Sequence, residues 1–205
     1  GLGDVYKRQV FTDRETVDKV EKMKVGTCLN PLHTALAVYG CLLGYKSIAA
    51  EMEDPQLKAL VERIGYVEGL PVVTDPGILS PRAFIDEVVT QRLPNPFIPD
   101  TPQRIATDTS QKIPIRFGET IKSYMASPEL DASSLTAIPL ALAGWLRYLL
   151  GVDDEGGEMA VSADPMLTQL QQTLAGVTLG KPESADGVLK PISVSYTHLT
   201  LPTIL

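Results

Sequence analysis

A mainly α-helical fold is predicted by three features of the chain. Pairs of a polar cap residue and a proline, the usual chemistry of a helix start, recur at Asn30-Pro31, Asp54-Pro55 and Ser80-Pro81. Apolar residues return at helical spacing, as in Leu32, Leu36, Tyr39, Leu43 and Ile48. No run of alternating β-branched residues and no internal repeat competes with that pattern.

The elements follow in order. Thr12 with Glu15 fits a capping box, which predicts a helix over 13–24. Asn30 as cap and Pro31 at the first helical position open a second helix expected to reach Glu53. Gly40 and Gly44 weaken it locally and allow another helix to approach closely. Further helices start at Asp54-Pro55 and at Ser80-Pro81, the latter leading into "RAFIDEVVTQRL"; "GLPVVTDPGILS" between them reads as extended and turn-rich. The prolines of "LPNPFIPDTP" forbid regular structure and deliver the chain rigidly to "QRIATDTSQKIPIRFGETIKSYMAS". A buried helix around Trp145, a solvated acidic loop "GVDDEGGE" and a last helix over 165–175 complete the series.

Both ends read as foreign to this domain. "GLGDVYKRQ" back-translates without mismatch as a transposase adapter, and "VSYTHLTLPT" as the opposite strand of its companion. Residues 1–9 and 194–205 are therefore expected to be non-native, and 10–193 to be one helical domain truncated at both ends. Asp4, Lys7 and Arg8 together carry one positive charge, so without them the net charge moves from −7 to −8. With His198 in the tail, His33 is the only histidine of the remainder, which excludes sites built on two histidines, most catalytic zinc sets among them.

The acidic balance argues against a nucleic-acid partner. Cys28 and Cys41 are too few for a disulfide framework or a zinc ribbon and are expected to be reduced cytosolic thiols. "LTAIPLALAGWLRYLLG" is too short to span a bilayer and contains Pro139 and Arg147. No Gly-x-Gly-x-x-Gly and no Walker-type loop occurs, so a dinucleotide is not bound here by those routes.

One stretch, "KVGTCLNPLHTALAVYG", carries candidate chemistry. Asn30 would cap the second helix, with His33 in its first turn. There the positive end of the dipole disfavours imidazolium and leaves a neutral ring able to hydrogen-bond a substrate hydroxyl. The loop over 25–29 would fold Lys24 back towards Asn30, and an ammonium partly desolvated near amide donors suits proton transfer from an alcohol. The same three residues also fit an ordinary helix start in which Asn30 caps, His33 packs and Lys24 is solvated.

The pattern K-x5-N-x-x-H entering "TALAVYGCLLGY", with "RIATDTSQKIP" about seventy residues on, resembles the C-terminal domain of the polyol-specific long-chain dehydrogenases. That family contains mannitol dehydrogenase, fructuronate reductase (mannonate oxidoreductase) and tagaturonate reductase. The resemblance implies a helical substrate domain closing on an N-terminal Rossmann domain that binds NAD or NADP, a sugar-acid or polyol substrate and no metal. It implies Lys24 as general acid/base, Asn30 as the donor polarising the reacting oxygen, His33 as the group positioning a hydroxyl, and Arg104 and Lys112 as cationic substrate contacts. Two cations suit a carboxylate, which tilts the expected substrate towards D-mannonate/D-fructuronate over mannitol or tagaturonate. One departure stands out: the family pattern has four residues between lysine and asparagine, this chain has five, and Lys22 is the alternative lysine. Lacking the Rossmann domain, the chain alone is expected to be inactive and to expose an apolar docking face. Two rivals remain, a non-catalytic helical interaction module, which predicts that these residues scatter, and a domain like that of six-phosphogluconate dehydrogenase.

Overall fold

The structure is a computed structural model that describes residues 13–192. The adapter-like ends and Thr12 lie outside the described residues. Helix α1 spans Arg14–Met23, and Asp13 caps it, its carboxylate accepting the amides of Glu15 and Thr16. A π-helical turn, Lys24–Cys28, then leads into α2, Asn30–Leu42. After α3, Ile48–Glu51, come α4, Pro55–Glu62, and α5, Pro81–Glu87, capped by Asp54 and Ser80 as expected. Both widen into π-helical turns, Arg63–Gly69 and Val88–Arg92. Helix α6, Pro102–Ile105, precedes α7, Thr109–Ile113, whose π-helical continuation Pro114–Gly118 runs into α8, Glu119–Ala126. Helices α9, Ala137–Leu149, and α10, Leu167–Thr173, follow. Among the described residues the only β pairing is two isolated bridges, so the fold is mainly α, as the cap-proline punctuation predicts.

Helix α2 is the centre of the domain. Leu32, Ala35, Leu36, Ala37 and Val38 are all buried, and α3, α4, α6 and α9 pack around it. A helix apolar on every side belongs in the interior and not on a surface stripe. Its first turn, which carries His33, is thereby fixed by packing from several directions.

The single helix expected to reach Glu53 is in fact two. Gly44 adopts φ +75°, a left-handed conformation that ends α2, and Ser47 starts α3 by accepting the Ala50 amide at 3.2 Å. Gly40 plays the close-approach role: a Cβ there would collide with the Glu51 carboxyl and the Pro102 ring. Glu51 is fully buried beneath it, and among the described residues neither carboxyl oxygen has a hydrogen-bond partner. Burial pushes this acid up to about 9.

Helix α9 has no local cap. Glu68, buried and far away in sequence, lays its carboxylate across the start of α9 and accepts the amides of Thr136, Ala137 and Ile138 at 2.7–2.8 Å. A carboxylate at the positive end of a helix dipole satisfies the orphan donors there. Nothing in the local sequence signals a cap supplied from another element.

Candidate active site

The wide turn before α2 sets the geometry of the predicted trio. The Leu29 amide donates to the Lys24 carbonyl at 3.1 Å, closing the turn five residues back where an α-turn closes four back. The chain thus enters α2 directly from a helical turn, with no extended cap position. Leu29 takes the cap place (φ −133°, ψ −62°), Asn30 is the first helical residue, and no side chain caps the helix. This corrects the expectation that Asn30 is the cap. Its carbonyl accepts from Thr34 Oγ1 at 2.9 Å, and its side-chain amide has no partner among the described residues.

Lys24, half-buried, stands at the start of the wide turn with its Nζ 5.5 Å from the centroid of the Phe84 ring on α5. The ring face attracts the ammonium electrostatically and limits where it can swing. Lys22 is exposed and lines a charged surface hollow with Arg14, Asp18 and Lys19. The turn that carries Lys24 also packs against the turn over Pro114–Gly118.

His33 is buried, and its Nε2 lies 3.7 Å from Asp100 Oδ2. Burial, with Arg92, Arg116 and Arg104 nearby, lowers its pKa to about 4. The ring is therefore neutral at neutral pH, and its approach to Asp100 is neither an ion pair nor a hydrogen bond. The neutrality expected from the helix dipole holds, but desolvation and three guanidinium groups are its cause.

Asp100, at the end of the proline-rich segment, also receives Arg104 Nη2 on its other oxygen, while its carbonyl accepts the Ile48 amide at 3.0 Å. Arg104 is mostly exposed beyond that contact. Lys112 donates to the carbonyls of Ile105 (2.9 Å) and Thr107, closing the end of α6. Its pKa is lowered first by burial and then by Arg116. Arg116, half-buried, donates from Nη1 to Thr34 Oγ1 at 2.5 Å, and burial takes its pKa down to about 10.

The structure therefore brings His33, Arg104 and Lys112 into one cationic cluster and sets the Lys24 turn beside it. The interaction-module reading predicts that Lys24, His33, Arg104 and Lys112 scatter over the surface; His33, Arg104 and Lys112 lie near one another, while Lys24 is held over the Phe84 ring. Asp100, Thr34 and Arg116 belong to the cluster and were not singled out from sequence. Only Arg116 left a signal: it lies four residues after Lys112, within the segment that the second motif opens.

Replacing His33 isolates one pH effect. Its folded-state pKa lies below the unfolded value near 6.5, so the unfolded chain binds the extra proton first as pH falls. Stability from the neutral ring is full above about 6.5 and lost towards pH 4, by about 3 kcal/mol. Thermal unfolding of the His33→Gln chain should lack that acid-side loss relative to the unaltered chain; parallel pH curves would refute it.

A family model described as the mannitol dehydrogenase C-terminal domain matches residues 16–199. The chain belongs to that family. As a mannitol dehydrogenase C-terminal domain it is 64% identical over 186 residues to the D-mannonate oxidoreductase of Thermotoga maritima, covering 90% of this chain and 34% of that protein. It is 31% identical over 152 residues to the D-mannonate oxidoreductase of Escherichia coli, covering 74% of this chain and 30% of that protein. Among solved structures it is similar to mannitol 2-dehydrogenase of Pseudomonas fluorescens in its ternary complex with NAD and D-mannitol. There the TM-score is 0.71 at 26% identity, over 93% of this chain and 38% of that one. The chain spans about a third of the length of these relatives. Among the described residues no group of His, Cys, Asp and Glu is placed to hold a metal ion, and no helix is long and apolar enough to cross a membrane.

Proposed function

We propose that this domain binds the substrate and moves the proton in an NAD(P)-dependent oxidoreductase that interconverts D-mannonate and D-fructuronate. The observation that carries the reading is the cluster of cations around a neutral His33, next to the turn that holds Lys24. The high identity to a D-mannonate oxidoreductase supports the sugar acid over mannitol or tagaturonate. The buried free thiols of Cys28 and Cys41 suit a reducing, cytoplasmic compartment.

The chain has no glycine-rich phosphate loop, so its residues do not fit the nucleotide's pyrophosphate, which we assign to a Rossmann domain docked against this one. What the nicotinamide supplies there is an acceptor for the hydride. The residues of this chain do the rest. Lys24 Nζ takes the proton from the substrate hydroxyl in oxidation and returns it in reduction. The Asn30 amide, without a partner among the described residues, donates to the oxygen on which charge builds, a contribution worth about 3 kcal/mol for one such donor. Neutral His33 hydrogen-bonds a neighbouring hydroxyl. The wide turn absorbs the fifth residue between Lys24 and Asn30, which favours Lys24 over the exposed Lys22.

The test is an assay of the longer protein that carries this chain. NADH or NADPH formation with D-mannonate should exceed that with D-mannitol; no turnover with any sugar acid or polyol would remove the reading.

A further inference from the structure

Among the described residues, the guanidinium groups fall into two kinds. Most are already answered: Arg14 by Asp18, Arg63 by Glu68, Arg104 by Asp100, Arg82 by the Tyr66 ring, and Arg147 by the carbonyls of Val152 and Asp153. Arg92 is exposed to water. Arg116 is different. It is half-buried, no carboxylate lies within ion-pair distance, and its one hydrogen bond goes to the Thr34 hydroxyl, which itself donates to the Asn30 carbonyl.

A guanidinium has five donors and cannot shed its charge in a protein. Holding one partly out of water with a single neutral acceptor costs stability unless something else answers the charge. Thr34 fixes its direction, and the residues on either side of that hydroxyl are those of the proposed site. His33 precedes Thr34, Asn30 is one turn before it, and Lys112 is one turn before Arg116, close enough that Arg116 helps to lower the Lys112 pKa. Arg104, by contrast, meets a ligand with its charge already balanced by Asp100. Lys112 spends two donors on the end of α6.

We propose that Arg116 grips the carboxylate of the sugar-acid substrate and so sets the preference for a sugar acid over a neutral polyol. This rests on the reading of the domain as a sugar-acid oxidoreductase. Arg104, tied to Asp100, is left to contact hydroxyls. A planar guanidinium with four donors unpaired among the described residues can meet the two carboxylate oxygens in parallel, a geometry no neutral hydroxymethyl group can use. D-mannonate and D-mannitol make the test pair, since they differ at the terminal carbon that Arg116 would recognise.

In the longer enzyme, Arg116→Gln should lower kcat/KM for D-mannonate by about 10- to 100-fold, chiefly through KM, with a much smaller fall for D-mannitol. Arg116→Lys should recover part of the loss, since the charge returns without the fork. Equal falls with both substrates, or no fall with either, would overturn the assignment. A second readout needs no turnover: in the 205-residue chain, D-mannonate but not D-mannitol should shift the His33 ring resonances, and Arg116→Gln should abolish that shift. If the longer enzyme oxidises no sugar acid yet the chain shows this Arg116-dependent shift, the oxidoreductase reading fails and the carboxylate site stands. If the enzyme is active on D-mannonate but Arg116→Gln binds and turns it over as before, the site fails and the reading stands.

Discussion

Lys24→Ala in the longer enzyme should lower kcat with D-mannonate by about 10²- to 10⁴-fold at neutral pH, the usual worth of a positioned general acid/base. KM should move little, because a group that acts on the proton in the transition state contributes little to ground-state binding. Lys24→Arg separates two explanations. It keeps a cation over the Phe84 ring but cannot give up a proton near pH 7, so it should be nearly as slow as the alanine variant. Recovery of most activity in Lys24→Arg would mean that Lys24 supplies charge and not proton transfer. Lys22→Ala is the control: this exposed lysine lies with Arg14, Asp18 and Lys19 on the outer side of α1, and its loss should leave turnover near normal. A collapse in Lys22→Ala instead would transfer the role to that residue.

Glu51→Gln should stabilise the chain by about 3 kcal/mol at pH 7, raising the unfolding midpoint by roughly 10 °C for a domain of this size. The folded-state pKa of Glu51 is raised to about 9 from an ordinary value of 4.5. The unfolded chain therefore releases this proton first as pH rises, and the folded state loses stability steadily between 4.5 and 9. Glutamine keeps the shape beneath Gly40 and has no proton to lose. The gain should vanish near pH 4.5 and grow with pH. A gain that stays constant between pH 5 and 8 would point to packing and not ionisation. The effect runs opposite to that of His33, whose neutral ring costs stability only below about 6.5. Between 4.5 and 6.5 the two slopes nearly cancel, and above 6.5 Glu51 acts alone.

Legibility from sequence tracks how local each cause is. Asp54 and Ser80 cap the helices after them through bonds spanning two or three residues, and such pairs can be read directly. The split of the long helix at Gly44 depends on one residue taking a positive φ, where helical periodicity continued on paper through Ile48. The cap of α9 was hidden because Glu68 comes from another element. At the candidate site, His33, Arg104 and Lys112 are named by the family resemblance, and they lie near one another. Asp100 and Thr34 are not so named, since an acid after a proline-rich segment and a threonine inside an apolar helix carry no pattern of their own. Their roles arise only when α6 and the turn after α7 pack against α2.

The wide turn over Lys24–Cys28 also bears on how such chains are found. A turn that closes one residue later lets the chain grow by a residue without breaking the helical path between two functional side chains. Counting letters between lysine and asparagine then measures chain length and not separation in space. A search written with one fixed gap would pass over members that differ only by such a bulge, whereas one that admits either gap would gather both and mark the bulge as a place where length can drift while chemistry is kept.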